Sequence, residues 1–600
     1  MTNLESIKSK VSSFKYIDYL RSLKILKESA DISKNKPLRI AILRSYSAEM
    51  IEPVLKLRLV LDGYDPTFFW GDYNQYTQEI LDATSDLYTF KPDLVLLLVR
   101  IEELMPSFVW RFGEKDIGEW KEEINKNSKY IAGLISTLNE KISVQVIVQN
   151  MCLPVIPYWG VYEAQENISQ TDLLQEFNQT LRTELLQNPT TYIWDYNNFL
   201  LRKGYEKIYD PKLMYIASNP FKQSSYPLIV DDLMRYISSV LGKGKKCIVL
   251  DLDNTLWGGV IGEDGFDGIA LGDGYPGNCF VDFQKELLKL CQRGVILAIN
   301  SKNNEKDAFD VIDNHPNMIL RKKNFAAYKI NWLDKANNLK MLANELNIGI
   351  DSMIFIDDNP VECEWVREQC PECTVVQVPK EHYLMPSIVP VLPGIENIRL
   401  TNEDKKKGEI YQAQVRRKGL QESSADLGDF LKGLEMEVEI KKSEKFSVSR
   451  ISQLTQKTNQ FNMTTRRYTE KDIVKFANSP ENYVFSVSAK DRFGDNGIIG
   501  VVILKFENDF CLIDTFLLSC RVISRSIEQS MIAFIAEFAR KKGAVTVIGE
   551  FIPTAKNKPA SNFYSKMNFT TNDDKKFIAD LKKQSFEYSP YITHLNLSDY

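Results

Sequence analysis

Six hundred residues, 44% of them hydrophobic and 26% charged, describe an ordinary globular chain too long for a single core, so three or four domains are expected. The formal net charge of −5, from 75 basic and 80 acidic side chains, lacks the basic excess of a phosphate-backbone footprint, and nucleic acid is not an expected partner. Three histidines, His315, His382 and His594, exclude His-rich metal sites and leave the first three hundred residues without histidine catalysis. The opening Met1-Thr2-Asn3-Leu4-Glu5-Ser6 has no apolar signal-peptide core, and runs such as Leu94 to Val99 are far too short to span a membrane. Nine scattered cysteines suit a reducing compartment, and a cytoplasmic enzyme is expected.

Residues 1–35 carry the amphipathic pattern of a helix (Ile7, Val11, Phe14, Ile17, Leu20). Strands are predicted at Leu38 to Leu43, Leu94 to Val99 and Val144 to Val148, with helical stretches between them, and that alternation predicts a parallel sheet. Ser45 and Ser47 follow the first strand, but no Ser-His dyad can form within this region. A helix over Pro227 to Leu241 and the turn Gly242-Lys243-Gly244 close it.

The next segment is the most informative. The apolar run Ile248-Val249-Leu250 reads as a buried parallel strand, and it ends in Asp251 and Asp253. Residues two apart share a face of a strand, so the two carboxylates converge beyond its carboxyl end, where open α/β sheets place ligands. Carboxylates so close repel unless a cation lies between them, and hard oxygen ligands suit Mg²⁺. A second strand, Val295 to Ile299, ends in Asn300-Ser301-Lys302-Asn303. A third, Ser352 to Ile356, ends in Asp357-Asp358-Asn359-Pro360. Lys335 opens a helical pattern (Leu339, Leu342, Leu346), with Lys329 and Lys340 as rivals for the same role. Trp257 to Gly265 is glycine-dense and reads equally as a hairpin flap or a substrate contact. Cys370-Pro371-Glu372-Cys373 lacks the further ligands of a zinc site and reads as a turn into the strand Thr374 to Val378.

A charge run from Asn402 begins a helical linker, read as a solvated helix face, through Leu427. Strands then follow at Met436 to Ile440, Tyr483 to Val487, Gly497 to Lys505 and Phe510 to Leu517, with a helix at Ile527 to Lys541 and a strand at Val545 to Phe551. That order predicts a mostly antiparallel α+β sheet.

Asp251-Leu252-Asp253-Asn254-Thr255 resembles the first motif, DxDxT, of the haloacid-dehalogenase (HAD) phosphohydrolases. The resemblance implies that Asp251 attacks phosphorus and Asp253 is the general acid/base. It implies that Ser301 holds the phosphoryl group, with Thr255 and Asn303 as further substrate contacts, and that Lys335 neutralises its charge. Asp251, Asp253 (through its backbone carbonyl), Asp357 and Asp358 would hold Mg²⁺. Only about fifty residues separate the Asp pair from Ser301, which leaves no room for a large cap domain.

The wording is closer still to one capless HAD subfamily, the FkbH-like proteins. Asp251 to Gly265, Asn324-Phe325-Ala326-Ala327-Tyr328-Lys329-Ile330-Asn331-Trp332, Gln456 to Tyr468, Asp491 to Gly497 and Glu550 to Asn557 carry the resemblance, which covers roughly 245–570. FkbH-like enzymes take 1,3-bisphosphoglycerate, remove phosphate and load the glyceryl group onto the phosphopantetheine thiol of an acyl carrier protein, feeding polyketide assembly. The N-terminal part resembles an SGNH hydrolase, and the C-terminal part a GCN5-type acetyltransferase (GNAT), in the closing pattern Asn557 to Phe569. Where GNAT proteins carry R-x-x-G-x-G, this chain has Arg521-Val522-Ile523-Ser524-Arg525-Ser526. Asn300 stands where many relatives carry Cys.

The implied architecture is multidomain α/β. Residues 1–240 are an SGNH-like (flavodoxin-type) domain without a catalytic set, and 241–400 a capless HAD Rossmannoid domain. Residues 401–425 are a helical linker, and 426–600 a GNAT-like α+β domain. Arg466, Arg467 and Arg521 are expected substrate contacts there, and Cys520, beside a helix start, is a candidate acyl carrier. The expected activity is Mg²⁺-dependent dephosphorylation of an acyl phosphate with acyl transfer to a carrier protein; the alternative is a phosphatase with no acyl transfer.

Overall fold

The computed structural model describes residues 7, 11, 14–27, 35–153, 156–242, 244–399, 407–444, 446–554, 557–571 and 575–598. They form two compact units, Met1–Leu241 and Gly242–Tyr600. No described helix is long and apolar enough to cross a membrane.

The first unit is built on five parallel strands: β1 (Lys36–Arg44), β2 (Tyr64–Trp70), β3 (Leu94–Leu98), β4 (Gln145–Gln149) and β5 (Thr191–Trp194), in the order β2-β1-β3-β4-β5. Their near-continuous apolar runs follow from helices covering both faces. Ile40, Ile42, Leu94 and Leu96 enter one core, while Ala41, Leu43, Val95 and Leu97 enter the other. Of the helix expected over 1–35, Tyr16–Lys27 is described; most of the remainder lies outside the described residues.

The second unit opens with another parallel sheet: β6 (Cys247–Leu250), β7 (Ile296–Ser301), β8 (Phe325–Ile330), β9 (Met353–Asp357) and β10 (Thr374–Gln377), ordered β10-β9-β6-β7-β8. Alternation again splits the side chains. Ile248, Leu250, Leu297, Ile299, Ile354 and Ile356 pack with the helix Gly277–Gln292. Cys247, Val249, Ile296, Ala298, Met353 and Phe355 pack under the helices Lys335–Leu346 and Pro360–Gln369. The carboxyl ends of β9, β6 and β7 therefore lie side by side, and each ends in one of the polar segments singled out in the sequence.

The third sheet contains β11 (Met436–Lys442), β12 (Phe461–Asn462), β13 (Asn482–Asp491), β14 (Gly494–Glu507), β15 (Phe510–Leu518), β16 (Thr546–Glu550), β17 (Thr570–Thr571), β18 (Lys576–Asp580) and β19 (Ile592–Ser598). Its order is β17-β18-β16-β15-β14-β13-β11-β19, with β12 on β15. The pairings are antiparallel except β15–β16, joined through the helix Ile527–Lys541, and β11–β19. This is the expected α+β arrangement, with a mostly antiparallel sheet.

The linker corrects one expectation. The helix Lys407–Ser423 is not a solvated face: Ile410, Ala413 and Arg417 are buried. The rest of the charge run, 401–406, lies outside the described residues. Gln412 Nε2 donates to the carbonyls of Lys323 (2.6 Å) and Phe325 (3.1 Å) at the start of β8. Arg417 forks onto both oxygens of Asp491 (2.7 and 2.8 Å), and Arg525 reaches the same carboxylate at 3.2 Å. A charged run at helical spacing cannot reveal this, because the partner is 74 residues away. Removing one partner of a buried pair strands the other charge in low dielectric. Asp491→Ala is therefore expected to lower the unfolding free energy of the second unit by about 3–5 kcal/mol, measured by denaturant titration.

Candidate active site

The site begins where β6 stops. Asp251 N still bonds Ile356 O (3.0 Å), so the backbone stays in register with β9 up to the first carboxylate. The chain then folds over: Thr255 N and Leu256 N both return to Leu252 O (3.1 and 2.7 Å), and Asn254 takes a left-handed φ of 51° while its side chain accepts from Gly259 N (2.9 Å). Asn tolerates that conformation better than most residues. The turn carries Asp253 to a separate set of donors: Trp257 Nε1 (2.9 Å), Ile261 N (3.1 Å) and Asn303 Nδ2 (2.9 Å). Burial pushes the Asp253 carboxyl up, and these hydrogen bonds pull against it.

Lys335 is the first residue of its helix, which Asp334 caps by accepting from Asn337 N (2.8 Å). Asn300, at the end of β7, donates to Lys335 O (2.9 Å) and fixes the helix start against the sheet. Lys335 Nζ lies 2.5 Å from Asp357 Oδ2 and 3.1 Å from Asp251 Oδ2, and its side chain is 4% exposed. Burial works against the ammonium, but Asp251 and Asp357 overcome it and raise its pKa. Burial and the neighbouring Asp251 push Asp357 up, with Lys335 opposing; Asp358 is raised by the same two causes. The rivals stand elsewhere: Lys329 pairs with Glu345 (2.6 Å) and Lys340 is exposed.

Asp251, Asp357 and Asp358 each present an oxygen within 4.8 Å of the others. Asp251 Oδ1 is buried with no hydrogen-bond partner, as are Thr255 Oγ1 and Asn300 Oδ1. Three carboxylates against one ammonium leave a formal charge of −2, and an orphaned buried carboxylate oxygen is costly. Both features fit a hard divalent cation bound by oxygen ligands. The Asp253 side chain is outside this ligand group. Ser301 ends β7 and is buried.

The glycine-dense loop serves as a flap. Gly258 bridges Ala270 by hydrogen bonds of 3.0 and 2.8 Å, and a Cβ at Gly258 would meet the Phe280 ring at 2.8 Å. Its base also supplies the Trp257 and Ile261 donors to Asp253. Those two contacts were not foreseen; the indole four residues beyond Asp253 was the available signal.

The C-terminal candidates are engaged by partners within the same region of the chain. Arg466 pairs with Asp514 (3.0 Å) and Glu550 (2.6 Å). Arg467 binds the carbonyls of Thr455 and Thr458 and Asn459 Oδ1 (2.5 Å). Arg521 Nε bonds Ser519 Oγ (3.1 Å). Cys520 lies in the turn Cys520–Val522, but its thiol falls outside the described side chains. Ser524 and Ser526 take φ of 64° and 61°, the left-handed conformation that glycines would supply.

In the first unit, Ser45 is fully buried. Its Oγ accepts from Arg100 N (3.0 Å) and donates to Glu103 Oε2 (3.3 Å), while Arg100 pairs with Glu102 and Glu103. Asp210 caps the helix Pro211–Ala217 by accepting from Leu213 N (3.0 Å).

Comparison with known proteins agrees with this geometry. Residues 39–237 match the FkbH N-terminal domain, and residues 246–375 match the NLI interacting factor-like phosphatases. The N-terminal part of a Bacteroides fragilis protein, containing a phosphatase domain and crystallised with Mg, is 29% identical. It covers 64% of this chain and 100% of its own, with a TM-score of 0.58. The ribosomal-protein-S18-alanine N-acetyltransferase of Escherichia coli is 14% identical over 24% of this chain and 90% of its own (TM-score 0.19). The Vibrio cholerae spermidine N-acetyltransferase is 12% identical over 24% and 97% (TM-score 0.20). No curated protein sequence matches. Residues 39–237 are thus similar to the FkbH N-terminal domain, and residues 246–375 form a HAD-type phosphatase domain.

The buried, doubly bonded Ser45 hydroxyl has a carboxylate and no histidine to activate it. A serine-directed fluorophosphonate is expected to leave Ser45 and Ser47 unlabelled in the intact protein, read by peptide mass spectrometry; labelling of either would contradict this account.

Proposed function

We propose that this chain is a Mg²⁺-dependent phosphatase and acyl transferase acting on a doubly phosphorylated acyl donor such as 1,3-bisphosphoglycerate. Phosphate ester is cleaved at the Asp251 site, and the acyl group passes to the phosphopantetheine thiol of an acyl carrier protein in the cytoplasm. The observation that carries the phosphatase half is the unpartnered Asp251 Oδ1 beside a buried Lys335. The acyl half rests on the FkbH-like character of the chain.

In this reading Asp251 Oδ1 attacks phosphorus and expels the alkoxide, which takes a proton from Asp253. Burial raises the Asp253 pKa, with the hydrogen bonds from Ile261, Trp257 and Asn303 opposing, and so favours its protonated state. Asp253 then takes a proton from the water that hydrolyses the aspartyl phosphate. Lys335 balances phosphoryl charge, and Ser301, Thr255 and Asn303 orient it. Asp251, Asp357, Asp358 and the Asp253 carbonyl would hold Mg²⁺, as the neighbouring Bacteroides structure holds Mg. The bound ion would neutralise the crowded carboxylates and polarise the phosphoryl group.

The two reactions must break different bonds. Attack of Asp251 on the acyl-phosphate phosphorus would release a free carboxylate and discharge the activated acyl group. The carrier thiolate must instead attack the carbonyl carbon and expel inorganic phosphate, while Asp251 removes the ester phosphate. That division explains why a donor with two phosphates fits. It needs no enzyme cysteine, so Cys520 would serve only in a covalent route. A second reading, phosphatase without acyl transfer, draws on the saturation of Arg466 and Arg467 by internal partners. A carrier protein that gains glyceryl mass only with active enzyme separates the two.

Asp251→Asn is expected to abolish phosphate release with the fold intact, and Asp253→Asn to slow it by roughly 10²–10⁴-fold, both measured with malachite green and circular dichroism. Near wild-type release by Asp251→Asn would sink the assignment.

Exhaustive chelation should also stop phosphate release, and Mg²⁺ should restore it more fully than Ca²⁺, whose larger, looser shell suits fewer constrained carboxylates. Activity surviving in metal-free buffer would contradict the ligand set.

A further inference from the structure

The polar centre is bordered on one side by side chains that phosphoryl chemistry does not use. Trp332 is 71% exposed, Leu333 58%, Val361 73% and Trp365 42%. Large apolar groups at such exposure, gathered beside a buried catalytic centre, mark a contact surface.

Their placement is tied to the charged groups. β8 runs beside β7 with Ile330 opposite Ser301, and the next residue, Asn331, donates its N–H to Ser301 O (3.0 Å). Asn331 Oδ1 then accepts from Leu333 N (3.0 Å) and from Asn338 Nδ2 (3.0 Å). Trp332 and Leu333 thus leave the sheet next to Ser301 on a pinned turn, just before Lys335. Val361 and Trp365 lie on the helix Pro360–Gln369, which directly follows Asp357-Asp358-Asn359. The Trp365 indole donates to Asp334, the cap of the Lys335 helix. That bond joins the two pairs into one ledge.

The charges interleaved with the ledge are already paired. Lys302 bridges Glu362 (2.5 Å), Glu364 bridges Arg367 (2.5 Å), and Asp334 holds the helix cap and the indole. Among the described residues, the cations named here are already held by carboxylates, so the ledge offers little to a second phosphate, a nucleotide or an acidic peptide. An uncharged, largely aliphatic chain would cover the indoles and Leu333 at a gain of roughly 25 cal/mol per Å² of apolar surface removed from water.

We infer that Trp332, Leu333, Val361 and Trp365 form the docking ledge for an uncharged aliphatic amide arm ending in a thiol, the chemistry of pantetheine, laid beside the phosphoryl centre. The inference rests on the proposed acyl-transfer reading for its choice of arm. The ledge aims the thiol at the donor's carbonyl, and its residues set specificity for the acceptor without touching phosphorus.

The test measures binding apart from turnover. Pantetheine is titrated by calorimetry into full-length Asp251→Asn protein, with and without Trp332→Ala plus Leu333→Ala, and with Trp332→Phe as the surface-preserving control. The ledge variants are also assayed in an otherwise wild-type background for hydrolysis of p-nitrophenyl phosphate. Expected are measurable binding to the intact ledge and to Trp332→Phe, at least a tenfold loss in the double variant, and unchanged p-nitrophenyl phosphate hydrolysis. Equal affinity with and without the ledge overturns the inference, as does no binding to the intact ledge. Loss of p-nitrophenyl phosphate hydrolysis in the double variant also overturns it, because the ledge would then belong to the catalytic centre. If carrier loading fails while ledge-dependent binding holds, the acyl-transfer reading falls and the ledge stands.

Discussion

The balance of buried charge around Lys335 governs the second unit's active end. Asp251 and Asp357 come from adjacent parallel strands and would repel strongly in the interior. The Lys335 ammonium between them, 2.5 and 3.1 Å away, makes the arrangement tenable. Much of the surrounding structure positions that one ammonium: the Asp334 cap, the Asn300 amide on the Lys335 carbonyl, and the β8-to-helix turn pinned on Ser301. A formal charge of −2 remains, and it suits a hard divalent cation.

The second carboxylate is kept apart from that cluster. Asp253 is two residues from Asp251, yet the turn at Asn254 delivers it to the indole of Trp257, a backbone amide of the flap and the amide of Asn303. Two chemically identical groups thus acquire different environments: Asp251 has one orphaned oxygen and the other beside the Lys335 ammonium, while Asp253 is held by neutral donors. Separation of this kind lets one group act as nucleophile and the other move a proton. The flap does this with few residues, which is how a domain without a cap still shapes its site.

The strand-end residues were legible in the sequence because they depend only on local pattern. A buried apolar run fixes the strand, and parallel order fixes which ends are neighbours. The expected convergence of the Asp251 and Asp253 side chains fails, because the strand ends at Leu250 and the turn carries Asp253 to other donors. The Lys335 choice over Lys329 and Lys340 was only half legible: helix periodicity put all three nearby, and the cap and the Glu345 partner decide between them. Contacts between distant segments were not legible. Arg417 reads as one charge in a charged run, and nothing near it reveals Asp491. Arg466 and Arg467 read as available cations, while Asp514, Glu550 and the carbonyls that occupy them lie on other elements. The loop Arg521 to Ser526 misleads in the opposite direction. Its serines suggest a lost glycine geometry, yet both adopt the left-handed conformation, at the strain that a Cβ imposes.

The helix Lys407–Ser423 turns these separate observations into one mechanical statement about the second unit. At one end Gln412 holds the carbonyls of Lys323 and Phe325, where β8 begins; at the other Arg417 holds Asp491, at the hairpin between β13 and β14. β8 is also the strand that ends beside Ser301 and releases Trp332. The helix therefore connects the third sheet, by a buried ion pair, to the strand that carries the ledge, by the Gln412 amide hydrogen bonds. Parting the helix from the third sheet would strand the buried Arg417 guanidinium, at a cost of about 3–5 kcal/mol. The third sheet is consequently held to the parallel sheet through a packed helix with buried polar contacts at both partners, and not through a solvated linker alone.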